Sequence, residues 1–331
     1  MFPIRPHRST GILSSASGSA SALLRARAAE WEVDLIESSE SLTMHVWGSE
    51  LCLIPADGMV RIELRAPEQR LIGILQDSAT ELFEGHGMAI AWDNVDEGAL
   101  APGLTLMRVE SVTQRTPGFI RVRVSGPEAI RFGQTNLHFR VLIAPEGRQP
   151  IWPRIAANGR TRWPEGEDAL HRPVYTVADQ QGDWVEFDIF AHDGSPTCDW
   201  ARRVQTGEPV GLMGPGGGWC PEAKELWLFG DETALPAISR MLDLAKGTVR
   251  AFVHAASEDM PGLTDDPRVT RCDDLLASLD TAAIPVADDV HVWFAGHAIQ
   301  AREARRQLAA RGLNKRQFTA AAYWGQPDSR A

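Results

Sequence analysis

Apolar and polar residues alternate along much of this chain, and the spacing of the pattern changes with position. Val60, Ile62 and Leu64 alternate with Arg61, Glu63 and Arg65, the period-two signature of a half-buried strand. WEVDLIE and SLTMHVW, just upstream, are strand-like as well. After Pro67 the period lengthens: Leu71, Ile74, Leu75, Leu82 and Phe83 fall on one helical face, Pro67 suits a first turn and Gly85 an end. MAIAW then reads as a closing strand. These elements predict a small α/β accessory unit over 30–95, with a Ser/Ala-rich flexible leader over 1–29 and an acidic, Gly/Pro-containing linker, DNVDEGALAPG, at 93–103.

From 104 to 222 the strands are short and closely spaced. FIRVRVSG alternates and stops at Gly126, and LHFRVLIAPEG, PVYTVAD, DWVEFDIFAHDG and PVGLMGPGGG follow with turns between them. Few helical patterns interrupt them, which predicts an antiparallel barrel. From 223 to 331 strands and helices alternate instead. ELWLFG, VRAFVHA, HVWFAG and FTAAAYWG are strands, with helices in DETALPAISRMLDLAKG and AIQAREARRQLAARG. That order predicts a doubly wound parallel sheet. The fold class is therefore multidomain, α+β and α/β.

The chain has 331 residues, 44% hydrophobic and 23% charged, the make-up of an ordinary soluble protein. A formal net charge of −11 argues against nucleic acid or an anionic membrane as a main partner. Cys52, Cys198, Cys220 and Cys272 form no CxxC pair, so no zinc or iron–sulfur spacing is present and no metal site is expected. Scattered cysteines in a chain this long, with no bilayer-length apolar run, point to the cytoplasm.

Several stretches carry candidate chemistry. In HRPVYTV a cation, Arg172, precedes a flat ring, Tyr175, and a hydroxyl, Thr176. That trio suits an anionic, planar cofactor; an ordinary edge strand is the plain alternative. In AHDGSPTCDWA, Pro196 opens a helix after Ser195, and Thr197, the Cys198 amide and His192 suit a phosphate as well as a simple capped helix. In LWLFGDETALPAI a buried strand meets a helix at Gly230, where dinucleotides bind such sheets; GxGxxG is absent, and Asp231 equally suits a helix cap. GPGGGW at 214–219 permits close backbone approach to a ligand or a plain turn.

Taken together, HFRVLI, WPEGEDALHRPVYTV, EFDIFAHDGSPTCDWA, VGLMGPGG, LFGDETALPAI, WFAGHA and AAYWG resemble, in that order, the siderophore-interacting proteins, which are flavin-dependent ferric-siderophore reductases. The resemblance spans roughly 104–328, and residues 56–92 resemble a small domain of unknown function sometimes joined to such reductases. It implies an FAD-binding barrel followed by an NAD(P)-binding domain. By this likeness Arg172 would pair with the FAD pyrophosphate, Tyr175 would pack on the isoalloxazine ring, and Thr176 would hydrogen-bond near its N5 edge. His192, Thr197 and Cys198 would surround the diphosphate. Gly230, Asp231, Glu232, Thr233 and Gly296 would face the nicotinamide dinucleotide, and Tyr323 and Trp324 would lie near the flavin and the domain interface.

The chain departs from the family pattern at Ala178, at Ser195 to Cys198, at His297 and at Arg140. The likeness implies electrons moving from NADH or NADPH through FAD to a ferric siderophore or other ferric chelate. No side-chain acid or base is required, because the flavin does the chemistry. Arg140, Lys315 and Arg316 are the candidate basic contacts for an anionic chelate, and Arg302, Arg305, Arg306 and Arg311 read as a solvated helix face. Glu258 and Asp259 after the second strand of the late sheet favour NADH. A general flavin or quinone reductase and a non-catalytic ferric-siderophore-binding protein are the alternatives. The oligomeric state is not legible.

Overall fold

The computed structural model describes residues 4–14, 17–56, 58–133 and 136–325. The chain forms two units, one of Met1–Thr105 with Gly147–Leu170, the other of Leu106–Glu146 with His171–Ala331.

The first unit is built on a six-stranded antiparallel sheet. Its strands are β1 (His7–Leu13), β2 (Leu35–Glu37), β3 (Leu42–Val46), β4 (Ser49–Ala56), β5 (Met59–Ala66) and β6 (Ile90–Trp92), in the order β2-β3-β4-β5-β1-β6. Helices α1 (Ser17–Glu30) and α2 (Gln69–Glu84) share its core, in which Leu24, Leu53, Ile62, Leu64, Ile72 and Phe83 are fully enclosed. This corrects the reading of 1–29 as a flexible leader, apart from positions 1–3 and 15–16, which lie outside the described residues. The reason is local. Strand β1 alternates in burial, but two of its inward positions are Ser9 and Gly11, which carry no hydrophobic signal. Gly11 is required there, since a Cβ would come within 2.7 Å of the Trp92 ring. Among its described side chains helix α1 buries Ala20, Leu24 and Ala28, one narrow stripe of mostly small residues.

The second unit opens with β7 (Leu104–Thr116), β8 (Phe119–Ser125) and β9 (His138–Leu142). The chain then leaves the barrel: residues 147–170, with the short pair β10 (Arg154–Ile155) and β11 (Thr161–Arg162), belong to the first unit. There Arg160 pairs with Asp77 at 3.2 Å and with Glu81 at 3.4 Å, and Asn158 Nδ2 donates to Glu84 at 2.9 Å. The base of this excursion is closed by the backbone pair Ile143–His171. Within the span 104–222 read from the sequence as the barrel, residues 147–170 thus form an excursion.

The barrel resumes with β12 (Val174–Thr176), β13 (Asp179–Gln181) and β14 (Trp184–Phe190), then α3 (Pro196–Arg203) and β15 (Pro209–Met213). Its strand order is β12-β9-β15-β7-β8-β14-β13. The ends curl together where Tyr175 on β12 packs on Phe187 of β14 with ring centroids 5.3 Å apart, and Phe187 meets Phe139 at 5.5 Å. Away from that core, the buried Asp188 and Glu186 are held by Arg121, which contacts Asp188 at 2.7 Å and Glu186 at 3.0 Å, by Arg123 and by Arg115. The Arg121 guanidinium is held above its ordinary pKa, chiefly by its hydrogen bond to Asp188.

The last part is a parallel sheet of β16 (Glu225–Asp231), β17 (Thr248–His254), β18 (Val269–Arg271), β19 (Val290–His297) and β20 (Phe318–Trp324), in the order β18-β17-β16-β19-β20. Helices α4 (Leu235–Leu244), α5 (Leu275–Thr281) and α6 (Ala298–Ala310) connect the strands. The order reverses between β16 and β19, so their carboxyl ends form the crevice where ligands bind in such sheets. Phe119 and Leu137 of the barrel belong to the same apolar cluster as Leu228, Ile238 and Met241, which makes the two halves of this unit share a core.

Candidate functional site

Three strands converge on one imidazole. On β12, Thr176 lies opposite His138 of β9, and Val174 opposite Arg140. Alternation along β9 turns Phe139 into the barrel core and His138 with Arg140 the other way. His138 Nδ1 is 3.1 Å from Thr176 Oγ1, and its Nε2 is 3.0 Å from the Tyr323 hydroxyl on β20. Burial, reinforced by the positive charge of Arg240, lowers the His138 pKa to about 4, so the ring is neutral at physiological pH. Arg240 reaches from α4 to the barrel and donates to Val177 O at 3.1 Å. Burial, and next the charge of Asp231, raises the Tyr323 phenol above its ordinary range.

The glycine-rich turn wraps the same ring. Gly216 N donates to His138 O at 2.9 Å, and Leu137 N donates to Gly218 O at 3.0 Å. Gly218 has φ +60, and a Cβ there would lie 2.5 Å from His138 Cδ2. At Gly216 and Gly217 a Cβ would meet nothing within 4 Å. One side of the loop is thus closed on His138 and the other is open.

Tyr175 is held at its hydroxyl end. The hydroxyl hydrogen-bonds Thr197, and burial pushes its pKa up to about 12. Thr197 Oγ1 also bonds His171 Nε2 at 2.9 Å. Ser195 caps α3 by accepting from the Cys198 amide at 3.3 Å. Thr197 and Cys198 are buried at the start of α3, with the Cys198 amide bound by its own helix cap and Thr197 beside the Tyr175 hydroxyl. His192 and Arg172 are exposed at strand ends of the same barrel, and Arg140 Nη1 donates to Arg172 O at 3.1 Å.

At the sheet crevice, Gly230 and Gly296 occupy the carboxyl ends of β16 and β19. A Cβ on Gly296 would approach Asp231 Oδ2 to 2.8 Å, and one on Gly230 would strike Ala234 at 2.6 Å. Asp231 is buried, caps the following turn by accepting from Thr233 N and Oγ1 at 3.0 and 2.6 Å, and accepts from Trp324 Nε1 at 2.6 Å. Asp231 therefore caps its helix and also holds the exposed Trp324, whose ring meets His297 edge-on at 4.5 Å. Glu232 and Thr233 lie on the same turn.

Lys315 and Arg316 do not join this group. They precede Phe318, which pairs with Val292 near the start of β19, and so sit at the amino end of the parallel sheet. At ~3.3 Å per residue, β20 places them roughly 20 Å from Trp324. Asp259 Oδ1 accepts from Gly118 N of the β7–β8 turn at 2.7 Å. Of the late-helix arginines, Arg305 Nη2 donates to Ala320 O at 2.8 Å and Arg311 to Ala282 O at 3.3 Å, so these two anchor α6 instead of forming a purely solvated face. The sequence reading missed His138 and Arg240. The signal for His138 lay in HFRVLI, where it shares a face with Arg140.

Among the described residues no cluster of histidine, cysteine and carboxylates could hold a metal. The donor set does fit a flavin dinucleotide: a pinned aromatic ring, an adjacent hydroxyl, exposed guanidinium groups for phosphate, and an open glycine turn.

An FAD-type antiparallel barrel joined to a doubly wound sheet, with an aromatic–hydroxyl pair beside the sheet crevice, defines a flavin–nicotinamide reductase architecture. Residues 108–219 match the siderophore-interacting FAD-binding domain, and residues 223–327 match the siderophore-interacting protein domain. The chain belongs to the siderophore-interacting protein family. It is 27% identical over 246 residues to the NADPH-dependent ferric-chelate reductase of Escherichia coli, covering 67% of this chain and 91% of that one. It is 30% identical over 151 residues to the ferric vibriobactin reductase of Vibrio cholerae, covering 43% and 54%. The crystal structure of a siderophore utilization protein from T. fusca superposes with a TM-score of 0.59 at 27% identity, covering 71% and 97%.

Proposed function

We propose that this protein is a flavin-dependent ferric-siderophore reductase that takes electrons from NAD(P)H and releases iron as Fe(II). The observation that carries the reading is the joining of Thr176, beside the Tyr175 ring, to Tyr323 of the last sheet strand through His138. That bond chain sets the flavin-type strand next to the crevice formed by Asp231 and Gly296. Bound FAD would supply the conversion of a two-electron hydride donor into single electrons for Fe(III).

The side chains bind and orient. Tyr175, fixed by Thr197 and Phe187, offers a flat surface for an isoalloxazine ring. Thr176 offers its hydroxyl at that ring's edge, and Arg172 and His192 offer positive charge and donors to the pyrophosphate. Gly230 to Thr233 and Gly296 would face a nicotinamide dinucleotide at the crevice, and Trp324 is held across it by Asp231. Arg140, on the strand next to Arg172, is the basic contact for an anionic chelate. No side chain needs to give or take a proton from the iron chelate. Four free cysteines favour a reducing, cytoplasmic setting, and among the described residues no helix is long and apolar enough to cross a membrane.

The test is a visible spectrum of the purified protein, taken anaerobically with NADH or NADPH and then with a ferric siderophore. A flavin spectrum that bleaches with the nicotinamide and recovers as Fe(II) forms supports the reading. Recovery of the bleached spectrum on adding quinones but not on adding ferric chelates would favour a general reductase, and chelate binding without any flavin would favour a binding protein.

A further inference from the structure

A neutral imidazole carries one ring proton, so it donates at one nitrogen and accepts at the other. At His138 both partners are hydroxyls, which can do either. The choice at one end therefore fixes the choice at the other. With the proton on Nδ1, the ring donates to Thr176 Oγ1 and accepts from the Tyr323 O–H, and the Thr176 proton is free to be offered elsewhere. With the proton on Nε2, the ring donates to Tyr323 and accepts from the Thr176 O–H, and Thr176 has only lone pairs left to offer. The surroundings hold the ring in place for this. Gly218 lies against its Cδ2 edge, Tyr323 is boxed edge-on by Trp293 at 5.9 Å, and the ring planes of His138 and Tyr323 meet at 80°. Among the described residues no carboxylate hydrogen-bonds the imidazole, and the charge acting on it is that of the Arg240 guanidinium.

Tyr323 is also next in sequence to Trp324, whose indole N–H is bound by Asp231 at the crevice. The hydroxyl at the flavin edge is thus linked by an unbroken series of contacts to the end of the sheet where the nicotinamide would sit.

We propose that His138 is a positioning residue that couples the hydrogen-bonding sense of Thr176 to Tyr323, so that the last strand of the α/β domain decides whether Thr176 acts as donor or acceptor toward the flavin. This rests on the reading of Thr176 as a flavin-edge residue. An oxidised N5 is an acceptor and a reduced N5 carries a hydrogen, so a side chain able to serve both states needs a partner that can change sense with it. The coupling requires no net gain or loss of protons by the three residues.

The experiment is a double-mutant cycle on the midpoint potential of bound FAD, using Thr176→Val, Tyr323→Phe and the pair, together with ¹⁵N NMR of the His138 ring in FAD-free protein. Both Thr176→Val and Tyr323→Phe are expected to shift the potential in the same direction, and the double variant no further than Thr176→Val alone. In the FAD-free protein, Tyr323→Phe removes the hydroxyl bonded to Nε2, and an N–H left unpaired costs more than a ring lone pair left unpaired, so His138 is expected to carry its proton on Nδ1 and donate to Thr176. Additive shifts, or a Tyr323→Phe potential equal to wild type, would overturn the coupling. So would a Tyr323→Phe ring whose proton sits on Nε2. An unshifted potential in Thr176→Val with the Tyr323→Phe ring protonated on Nδ1 would instead overturn the placement of Thr176 at the flavin, and with it the extension of the coupling to that edge.

Discussion

Acidification should expose His138 as a specific weak point of the second unit. Its folded pKa is about 4 against an ordinary 6.5, with burial the larger cause and Arg240 the smaller. The depressed value means that the unfolded chain binds the proton first. Stability contributed by the neutral ring is therefore complete above pH 6.5 and is lost progressively as the pH falls toward 4. Each pKa unit corresponds to about 1.36 kcal/mol, so lowering the pH from 7 to 4.5 should remove roughly 2.5 kcal/mol through this one group. The measurement is the opening free energy of the second unit, read from hydrogen exchange of core amides in β9 and β16 at the two pH values. It is made on wild type and on His138→Gln. Burial also lowers the pKa of His171 and His291, but those groups are present in both proteins and cancel in the comparison. Wild type should lose about 2 kcal/mol more than the variant. Equal losses, or a His138 titration near pH 6.5 by NMR, would refute the claim that the ring is held neutral by its enclosure.

Other perturbations follow from the same geometry. Tyr175→Ala should reduce FAD content by about tenfold or more with circular dichroism unchanged, because it removes a pinned stacking surface; full FAD occupancy would end that assignment. Gly218→Ala should cost on the order of 1–2 kcal/mol in urea unfolding, since φ is +60 and the added methyl meets the His138 ring; a variant as stable as wild type would mean the turn is slack. Asp188→Ala should destabilise the barrel by about 3 kcal/mol, leaving Arg115 without its buried acceptor and Arg121 with Glu186 alone; a change under about 1 kcal/mol would show that the guanidinium groups rehydrate freely. Lys315→Ala with Arg316→Ala should leave the KM for ferric chelate within about twofold, whereas Arg140→Ala should raise it; the opposite result would return the substrate contact to the amino end of the sheet.

Much of the second unit is legible in the sequence because its elements advertise themselves. The strand ELWLFGD is buried along nearly its whole length and reads as a continuous apolar run, as a central parallel strand must. Proline and serine at the start of α3, and Gly230 at the end of β16, are local signals that need no tertiary context. The first unit hid β1 and α1 because most of their inward positions are Ser9, Gly11, Ala20 and Ala28, residues too small to make a strong hydrophobic pattern around Leu13 and Leu24. What packing closes over such positions cannot be read from the chain alone.

The same division holds at the site. Sequence alone sufficed for Arg172, Tyr175 and Thr176 as neighbours, since they lie within five consecutive residues at and just before one strand, and for the turn at Gly230, since strand, glycine and helix follow one another. Only tertiary structure decided that Thr197 turns inward to hold Tyr175, that Asp259 is spent on Gly118, and that Lys315 and Arg316 stand at the far end of the sheet. Only it brought His138, Thr176 and Tyr323 together from positions 138, 176 and 323. The physical reason is range. Turn chemistry and periodicity act over a few residues, whereas the partner of a buried polar group is chosen by whichever strand the fold sets beside it.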